Sequence, residues 1–550
     1  MIRDVNRLAG RTFDVLVVGG GVYGLAIAYD AAQRGLTVAL VERDDFGGGS
    51  SFNHARTIHG GLRYLRTLDV RRARESARER ATLARIAPHA LRLMPFVLPL
   101  YRSLRGGKAA LRAGLALDGL VAFDRNTNVA APLRLPRGRV ISRSEAVQRF
   151  PGLRRQGLTG AAVWYDYITP ESDRLTFSFA IAAHEHGAVL ANYVQTVAPL
   201  VDGKRVVGVR ARDRQTGTDL EIGARITINA TGASVDRLLT PLGISTGMPL
   251  VKAMNLMTRR DAGEEALGGL APSGRHLFLI PWRGRALIGT WESSQAVEPE
   301  ASTAVLDEVE AFISELNVAF PALDLTSADV TLVHRGVVPA VQTPHGLELD
   351  GHERVRDHTA DGIEGMLSVS GTKYTTARAV AERVVDRTMR HLRRPAVLCR
   401  TGGHPLPGGS IRDPALTIAE ARRDYDRGLS SDTIPHLVAA HGSRYRDVVE
   451  LAAGRPDWRT RIAEDSPVSG AELVWAVRKE MAVTLSDAVI RRTPLGALGY
   501  PGDVAVDRSA AIVGAELAWS DEQRRDEIAT VQRFYAIAGL GTQPLARPPP

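Results

Sequence analysis

The first residues suited to chemistry in this chain are glycines at a fixed spacing. Gly19, Gly21 and Gly24 follow an apolar run at residues 15–18 and precede an Ala-rich helical stretch. In a G-x-G-x-x-G turn, the first glycine turns the chain, the second lets the backbone approach a pyrophosphate, and the third lets helix and strand pack closely. Glu42 ends the next predicted strand, where its carboxylate can accept hydrogen bonds from a ribose hydroxyl. The series predicts a dinucleotide site and disfavours a phosphorylated ribose.

A second turn favours a flavin over a nicotinamide dinucleotide. Residues 225–235 (RITINATGASV) form an apolar strand that runs into Ala230, Thr231 and Gly232. This turn is similar to the one with which flavoproteins of the glutathione-reductase-like fold return to the nucleotide. An ordinary strand and turn is the competing interpretation. We expect the cofactor to be FAD.

Three further residues have side chains suited to oxidising an alcohol beside a flavin. There the protein supplies orientation, a proton acceptor and charge complementarity. His59 titrates near neutrality and can accept the alcohol proton, and Arg63 can hold a phosphate at two points. Lys373 follows Gly371 at the start of a predicted helix, whose first amides can face flavin or substrate oxyanions. A packed loop histidine, a surface ion pair and a solvated cation are the competing interpretations, but the glycine-rich context favours the functional ones.

The composition limits the class of protein and its partners. A length of 550 residues predicts two to four domains. Cys399 is the only cysteine, which excludes an internal disulfide and a cysteine-based iron–sulfur or zinc cage, and we expect no metal. The net charge of +9 comes from scattered residues, mostly arginines, so no nucleic-acid partner is expected.

The same survey bears on location. The first residues lack the apolar core of a secretory signal, and no apolar run approaches the ~20 residues that span a bilayer. A cytoplasmic location is therefore expected. Two apolar stretches with sparse cations within residues 88–123 leave open an association with the inner face of the cell membrane, although core helices have the same composition.

The order of predicted elements indicates an α/β protein with a glutathione-reductase-like FAD-binding fold, an antiparallel-sheet substrate domain and an all-α C-terminal domain. A charged helix at 69–86 is expected to face solvent on most sides. The first predicted unit is an oxidoreductase region at 1–400. It contains FAD-binding segments at about 13–90, 150–235 and 331–395 and a substrate-covering domain at about 236–330. A Gly/Pro-rich linker at 401–412, a helical domain at 413–537 and a disordered tail at 538–550 follow.

Several motifs, taken in order, carry a resemblance to a known family. Residues 57–65 (TIHGGLRYL), directly after Gly49, Ser50 and Ser51, resemble the motif S-K-L-I-H-G-G-L-R-Y-L of the FAD-dependent, aerobic-type glycerol-3-phosphate dehydrogenases. Further similar segments are NATG at 229–232, IPWRGRALIGT at 280–290, GTKYTTARAVAE at 371–382 and EMAVTLSDAVIRRTPLG at 480–496. The chain is identified as a divergent member, with the resemblance covering residues 13–500.

Three departures from the family pattern bear on the substrate. Val338 stands where the family's Y-x-G-V-R-P-L has an arginine that contacts the substrate phosphate. Arg335 lies three residues earlier, and on a strand this odd offset directs it to the other face. Asn255 replaces the histidine of the family's K-G-S-H and cannot act as a base. Residues 289–292 (GTWE) replace G-T-T-D. Loss of one buried charged hydrogen bond to phosphate weakens binding by about ten- to a hundredfold.

The resemblance implies oxidation of sn-glycerol 3-phosphate to dihydroxyacetone phosphate, with electrons passed to quinone at a membrane surface. The departures leave two alternatives: an FAD-dependent oxidase or dehydrogenase of another small hydroxy- or amino-compound, and a flavin-binding module without activity. The expected partners are an anionic, phosphorylated small molecule and a quinone or other electron acceptor, while a homodimer and peripheral membrane contact stay open.

The predicted site residues form three groups. The catalytic candidates are His59, Arg63 and Lys373. The substrate-binding candidates are Arg63, Tyr64, Asn255, Arg335, Lys373 and Thr375. The cofactor-binding candidates are Gly19, Gly21, Gly24, Glu42, Ser50, Ser51, Gly60, Gly61, Ala230, Thr231, Gly232, Gly371, Thr372 and Lys373.

Overall fold

Two large β-sheets and a C-terminal group of helices make up the protein. The computed structural model describes residues 1–102, 108–344, 346–411, 413–425 and 429–540, and most of the predicted tail lies outside these residues. The strands found there are β1 (Thr12–Val18), β2 (Val38–Val41), β3 (Thr57–Ile58), β4 (Arg92–Tyr101), β5 (Arg139–Ser142), β6 (Leu158–Ile168), β7 (Val189–Ala191), β8 (Val194–Asp202), β9 (Arg205–Asp213), β10 (Asp219–Asn229), β11 (Leu250–Thr258), β12 (Ala266–Leu270), β13 (His276–Trp282), β14 (Arg285–Glu292), β15 (Val330–Thr343), β16 (Gly346–Leu349), β17 (Arg354–Asp357) and β18 (Met366–Ser370).

Helices connect and cover these strands. They are α1 (Val22–Gln33), α2 (Val70–Ile86), α3 (Lys108–Val121), α4 (Arg143–Arg149), α5 (Ser172–Glu185), α6 (Val235–Leu239), α7 (Leu306–Ala319), α8 (Ala377–His391), α9 (Pro414–Asp424), α10 (Thr433–His441), α11 (Tyr445–Ala453), α12 (Pro456–Arg459), α13 (Gly470–Glu480), α14 (Asp503–Leu517) and α15 (Asp521–Phe534), with a π-helical turn at Asp487–Arg492.

The first sheet is the predicted nucleotide-binding sheet. Its order is β17-β18-β10-β1-β2-β7, and the five strands from β18 to β7 run parallel. Alternate residues of β1 enter two cores: Val15 and Val17 pack under α1, α5 and α8, while Leu16 and Val18 pack on the other face. The glycine turn therefore lies at the carboxyl end of the central strand, where ligands bind in open α/β sheets.

The second sheet is assembled from a wider part of the chain than predicted. Its order is β16-β15-β11-β14-β13-β12-β4-β6-β3, with β5 added on β6. It is antiparallel except for the pair β4–β12. The segment predicted to cover the substrate was 236–330, but the sheet also takes strands from residues 57–168 and 330–349. Periodicity within a segment predicts a strand but not its distant partner, which explains the difference.

The helix α2 is not the solvent-facing helix predicted at 69–86. Ten of its seventeen residues are buried. Glu79 accepts two hydrogen bonds from Arg378 on α8, from Nη2 at 2.5 Å and from Nε at 2.8 Å. Arg80 pairs with Asp166 on β6. These buried ion pairs let a helix of charged composition pack against α8 and the second sheet.

The C-terminal helices pack against the rest of the protein. Their core includes Leu485, Val489 and Tyr535, and it is continuous with Phe52 and Trp282 of the N-terminal part. The region predicted to be helical therefore forms one side of the folded chain.

Candidate functional site

The glycine turn packs so closely that side chains have no room in it. Gly19 has a φ of +107°, and a Cβ there would lie 2.6 Å from the carbonyl oxygen of Ala230. A Cβ on Gly24 would lie 1.9 Å from the carbonyl oxygen of Gly19. This close packing of strand, turn and helix is the geometry that the first and third glycines of a G-x-G-x-x-G turn provide in a pyrophosphate site. Gly21 caps α1 at its N-terminus.

The residues around this turn fit the ribose and phosphates of a dinucleotide. Glu42 accepts hydrogen bonds from the backbone N–H of Gly20 at 2.6 Å and of Asp44 at 2.9 Å, and burial raises its pKa. Each carboxylate oxygen keeps a further lone pair for a ribose hydroxyl. Ser51 Oγ accepts the N–H of Val22 at 3.0 Å in the first turn of α1.

The remaining predicted cofactor residues lie near the same strand ends. The N–H of Ala230 donates to the carbonyl of Val18 at 2.8 Å, and Thr231 Oγ1 donates to Asn229 Oδ1 at 2.7 Å. Gly232 follows with a φ of +61°. Ser50, which is exposed, lies beside Gly336 of β15, where a Cβ would meet its Cα at 3.4 Å.

Three cations converge on the ring of Tyr64. Arg63 Cζ lies 5.0 Å from the ring centroid, Arg72 Cζ 4.7 Å and Lys373 Nζ 4.5 Å. Arg63 Nη2 also donates to the Tyr64 hydroxyl at 3.1 Å, and Lys373 Nζ donates to Ser76 Oγ. Tyr64 is buried, Arg63 is exposed and Arg72 is half-buried. The group, here called the Tyr64 cation cluster (Arg63, Arg72 and Lys373), brings three basic side chains together, and an anion would complement them.

His59 lies beside this cluster as a neutral base. Its ring centroid is 6.4 Å from that of Tyr64. Burial, and then the charges of Lys373, Arg63 and Arg80, lower the pKa of His59 well below its ordinary value. Among the described residues its imidazole has no hydrogen-bond partner, so a ring nitrogen stays available to accept a proton.

The glycines Gly60 and Gly61 are held by contacts with residues of other elements. The N–H of Gly60 donates to Asp166 Oδ1 at 2.7 Å, and the same carboxylate pairs with Arg80. Gly61 has a φ of +83°, and a Cβ there would collide with Ser76 at 2.8 Å. The turn that carries His59 and Arg63 is therefore fixed against α2 and β6.

The turn at 371–376 brings Lys373 to the cluster. A Cβ on Gly371 would lie 2.6 Å from the hydroxyl of Tyr23 on α1, and that hydroxyl donates to the carbonyl of Lys373 at 3.1 Å. Thr372 Oγ1 donates to the carbonyl of Asp350 at 2.7 Å. The hydroxyl of Thr375 is buried with no partner in the part of the chain that the structure describes, so it is available to a ligand.

Lys373 is itself electrostatically strained. Burial, together with the neighbouring guanidinium groups of Arg63 and Arg72, lowers its pKa to about 7. An anion bound among these groups would favour the charged lysine.

Two predicted substrate residues do not join the cluster. Arg335 donates to the carbonyls of Val333 at 3.1 Å and Phe534 at 3.1 Å, so its guanidinium is directed at the C-terminal helices. Asn255 Oδ1 accepts the hydroxyl of Thr290 at 2.8 Å, and its amide faces the carbonyl of Asn53 at 3.5 Å.

The other departures from the family pattern occupy apolar surroundings. Val338 packs with Val251, Ala253 and Ala340. Trp291 is half-buried and packs against the hydrophobic core that includes Met254.

Sequence reasoning missed three residues of the site: Arg72, Ser76 and Arg80. All three lie on α2, whose charged composition suggested a solvated helix. Their spacing of four residues places them on one helical face, and this periodicity is the signal that was available.

A glycine turn at the carboxyl end of the central strand of a parallel sheet is typical of dinucleotide-dependent oxidoreductases. The FAD dependent oxidoreductase family matches residues 14–387, and the C-terminal domain of alpha-glycerophosphate oxidase matches residues 399–524. The chain belongs to the FAD dependent oxidoreductase family, and its cofactor is FAD.

Relatives are similar over most of the chain. Glycerol-3-phosphate dehydrogenase from Synechocystis is 31% identical over 513 residues, covering 90% of this chain and 91% of the relative. The mitochondrial glycerol-3-phosphate dehydrogenase of Homo sapiens is 32% identical, covering 95% and 73%. The crystal structure of glycerol-3-phosphate dehydrogenase from Bacillus halodurans, complexed with FAD, has a TM-score of 0.75 at 24% identity and covers 96% of both chains. That structure shares the fold.

Affinity for a small dianion is predicted to fall as the pH rises above 7. In the free site Lys373 loses its proton near pH 7, so above that pH binding requires uptake of a proton. The dissociation constant of sulfate, which stays dianionic, should rise by up to about tenfold per pH unit between pH 7 and 9. Isothermal titration at several pH values measures it. Lys373→Arg stays charged and should show a flat profile, whereas a flat profile in the wild type would contradict the prediction.

Proposed function

We propose that this protein oxidises sn-glycerol 3-phosphate to dihydroxyacetone phosphate with FAD and passes the electrons to a quinone. The observation that carries the proposal is the convergence of three cations on Tyr64 next to a neutral histidine. A phosphate dianion complements such a cluster, and an alcohol carbon attached to that phosphate would lie within reach of His59. The curated relatives described above carry the name of this activity.

Each residue has a defined part in the proposed reaction. Arg63 and Arg72 hold phosphate oxygens with their guanidinium groups, and Lys373 takes up its proton as the anion binds. His59 accepts the proton of the C2 hydroxyl at a ring nitrogen while C2 loses a hydride and the carbonyl forms. When bound, FAD supplies the two-electron acceptor for that hydride. The buried pair of Arg80 and Asp166 keeps the turn of His59 in place.

The surroundings of Val338 and Asn255 favour a second candidate, which is an FAD-dependent oxidase or dehydrogenase of another small hydroxy- or amino-compound. Val338 lies in an apolar cluster, and Asn255 is hydrogen-bonded to Thr290. Neither residue supplies a charge to a phosphate. A substrate with less negative charge would not need a positively charged residue on the second sheet.

Anaerobic titration of the purified flavoprotein with sn-glycerol 3-phosphate separates the two candidates. Bleaching of the flavin absorbance at micromolar to low millimolar concentrations supports the proposal. If the flavin is not bleached by glycerol 3-phosphate but is still reduced by dithionite, glycerol 3-phosphate is excluded as the substrate and the second candidate is favoured. Rapid reoxidation in air with formation of peroxide would identify an oxidase.

Arg72 is predicted to supply much of the phosphate affinity. Arg72→Gln should raise the dissociation constant of glycerol 3-phosphate by about ten- to a hundredfold, because one charged hydrogen bond is lost. The matched control is Arg71→Gln, since Arg71 is exposed on another face of the same helix. Reductive titration of both variants measures the effect. An Arg72→Gln protein that binds as tightly as the control would contradict the assignment.

A surface next to the Tyr64 cation cluster supports a membrane-bound acceptor. The large apolar side chains of Leu68, Leu120 and Phe123 are each more than 70% exposed. Arg74 joins these elements, because it donates to the carbonyl of Val121 at 2.9 Å and lies 4.8 Å from the ring of Phe123. No helix within the described residues is long and apolar enough to cross a membrane.

The exposed face of α3 has the pattern of an interfacial helix. It carries small apolar residues at a helical spacing, with Arg112 among them, and ends in Leu120; Phe123 follows just beyond the helix. Val121, on its inner side, packs with Tyr64 of the site. We propose that this face rests on the inner surface of the cell membrane, where a lipid-soluble quinone reaches the enzyme.

Acidic substitutions on this face are predicted to weaken membrane binding without changing substrate oxidation. Replacing both Leu120 and Phe123 with Glu should weaken binding to anionic lipid vesicles at least about tenfold, because the buried apolar area is lost. Quinone reduction should fall with it, while reduction of a water-soluble dye should stay unchanged. Val504→Glu, an exposed apolar position on α14, is the control. Unchanged vesicle binding in the double variant would show that this face of α3 does not contact the membrane.

A further inference from the structure

The C-terminal helices reach the FAD-binding turn through one buried carboxylate. Asp45 lies on the loop after β2 and is 2% exposed. It accepts hydrogen bonds from Arg491 Nε at 2.7 Å and from Arg492 Nη1 and Nη2 at 2.6 and 2.7 Å. Both arginines belong to the π-helical turn at Asp487–Arg492. Asn192 Nδ2 adds a fourth contact at 3.0 Å.

Further contacts fix the positions of Arg491 and Arg492. Arg491 pairs with Asp487, whose carboxylate also accepts the hydroxyl of Tyr193 at 2.7 Å. Arg492 Nε donates to the carbonyl of Glu480 at 3.1 Å, and its Cζ lies 3.9 Å from the ring centroid of Phe177. Burial alone would raise the pKa of Asp45, but the two arginines lower it to about 2, so the carboxylate is ionised at neutral pH. The contact therefore joins fixed groups of opposite charge.

The loop that carries Asp45 touches the glycine turn directly. The N–H of Gly47 donates to the carbonyl of Gly20 at 2.9 Å. A Cβ on Gly20 would lie 2.8 Å from Phe46 Cδ1. Further along the same loop, Ser51 Oγ accepts the N–H of Val22 at the start of α1. A displacement of this loop would thus disturb the backbone that receives the pyrophosphate.

We propose that Asp45, Arg491 and Arg492 are positioning residues through which the C-terminal domain sets the affinity for FAD. The arginine pair holds the loop at 45–51 against the glycine turn, so the phosphate site is formed before the cofactor arrives. Preorganisation of this kind raises affinity by reducing the ordering cost of binding. The coupling is reciprocal, and bound FAD should tighten the docking of the C-terminal helices. The inference holds for any substrate of this enzyme.

The test is the affinity of the full-length protein for FAD after deflavination. Asp45→Asn keeps the shape and removes the charge, and we expect the FAD dissociation constant to rise at least about tenfold. The matched control is Glu480→Gln, because the Glu480 side chain is buried and pairs with Arg174 across the same two parts of the chain without touching the loop. Gln keeps the backbone carbonyl that accepts Arg492 Nε. That variant should lose thermal stability but keep FAD affinity within about twofold of the wild type.

Hydrogen exchange gives a readout that needs no cofactor. In the apoprotein, amides of residues 43–51 should exchange faster in Asp45→Asn and at the wild-type rate in Glu480→Gln. An equal rise of the FAD dissociation constant in both variants, or no rise in Asp45→Asn, overturns the proposal. If Asp45→Asn does not fold, Arg491→Lys replaces it, and an unchanged dissociation constant in that variant overturns the proposal.

Discussion

Three positive side chains share the ring of one tyrosine, and the repulsion among them shapes the structure around Tyr64. The negative face of the ring attracts each cation, but like charges a few ångströms apart remain unfavourable in a partly desolvated site. Backbone and hydroxyl acceptors offset part of this: Arg72 donates to the carbonyl of Gly351, and Lys373 to Ser76. Burial first, and then the charges of Arg63 and Arg72, lower the pKa of Lys373, and an anion bound beside it would favour its charged form.

Helix α2 makes this arrangement possible because its charges are satisfied in pairs. Glu79 neutralises Arg378 on α8, and Arg80 neutralises Asp166 on β6. Because Glu79 and Arg80 are paired with residues of other elements, neither of them pairs with Arg72, whose guanidinium lies beside Tyr64. Asp166 in turn accepts the amide of Gly60, so one ion pair anchors α2 to the second sheet and also fixes the turn that holds His59.

The sequence was sufficient for the local features and insufficient for the distant ones. The glycine spacing predicted the nucleotide turn because its geometry depends on a few neighbouring residues. Strand parity predicted that Arg335 faces away from Val338, and its contact with the carbonyl of Phe534 agrees. Composition alone gave the wrong environment for α2, since the partners Asp166 and Arg378 are far away in the chain. The origin of the second sheet in three separate segments has the same explanation.

On the proposed function, we expect the phosphate to be held by other residues than in the family pattern. The family pattern places an arginine on the strand equivalent to β15, where this chain has Val338 in an apolar cluster. Arg72 approaches from α2 on the nucleotide-binding side, together with Arg63 and Lys373. The phosphate would then be held by Arg63, Arg72 and Lys373 around Tyr64, without a charged group from β15. The second sheet is left to contact the carbon skeleton through Asn255 and its neighbours, so changes there would alter which skeleton is accepted while the anion site stays intact.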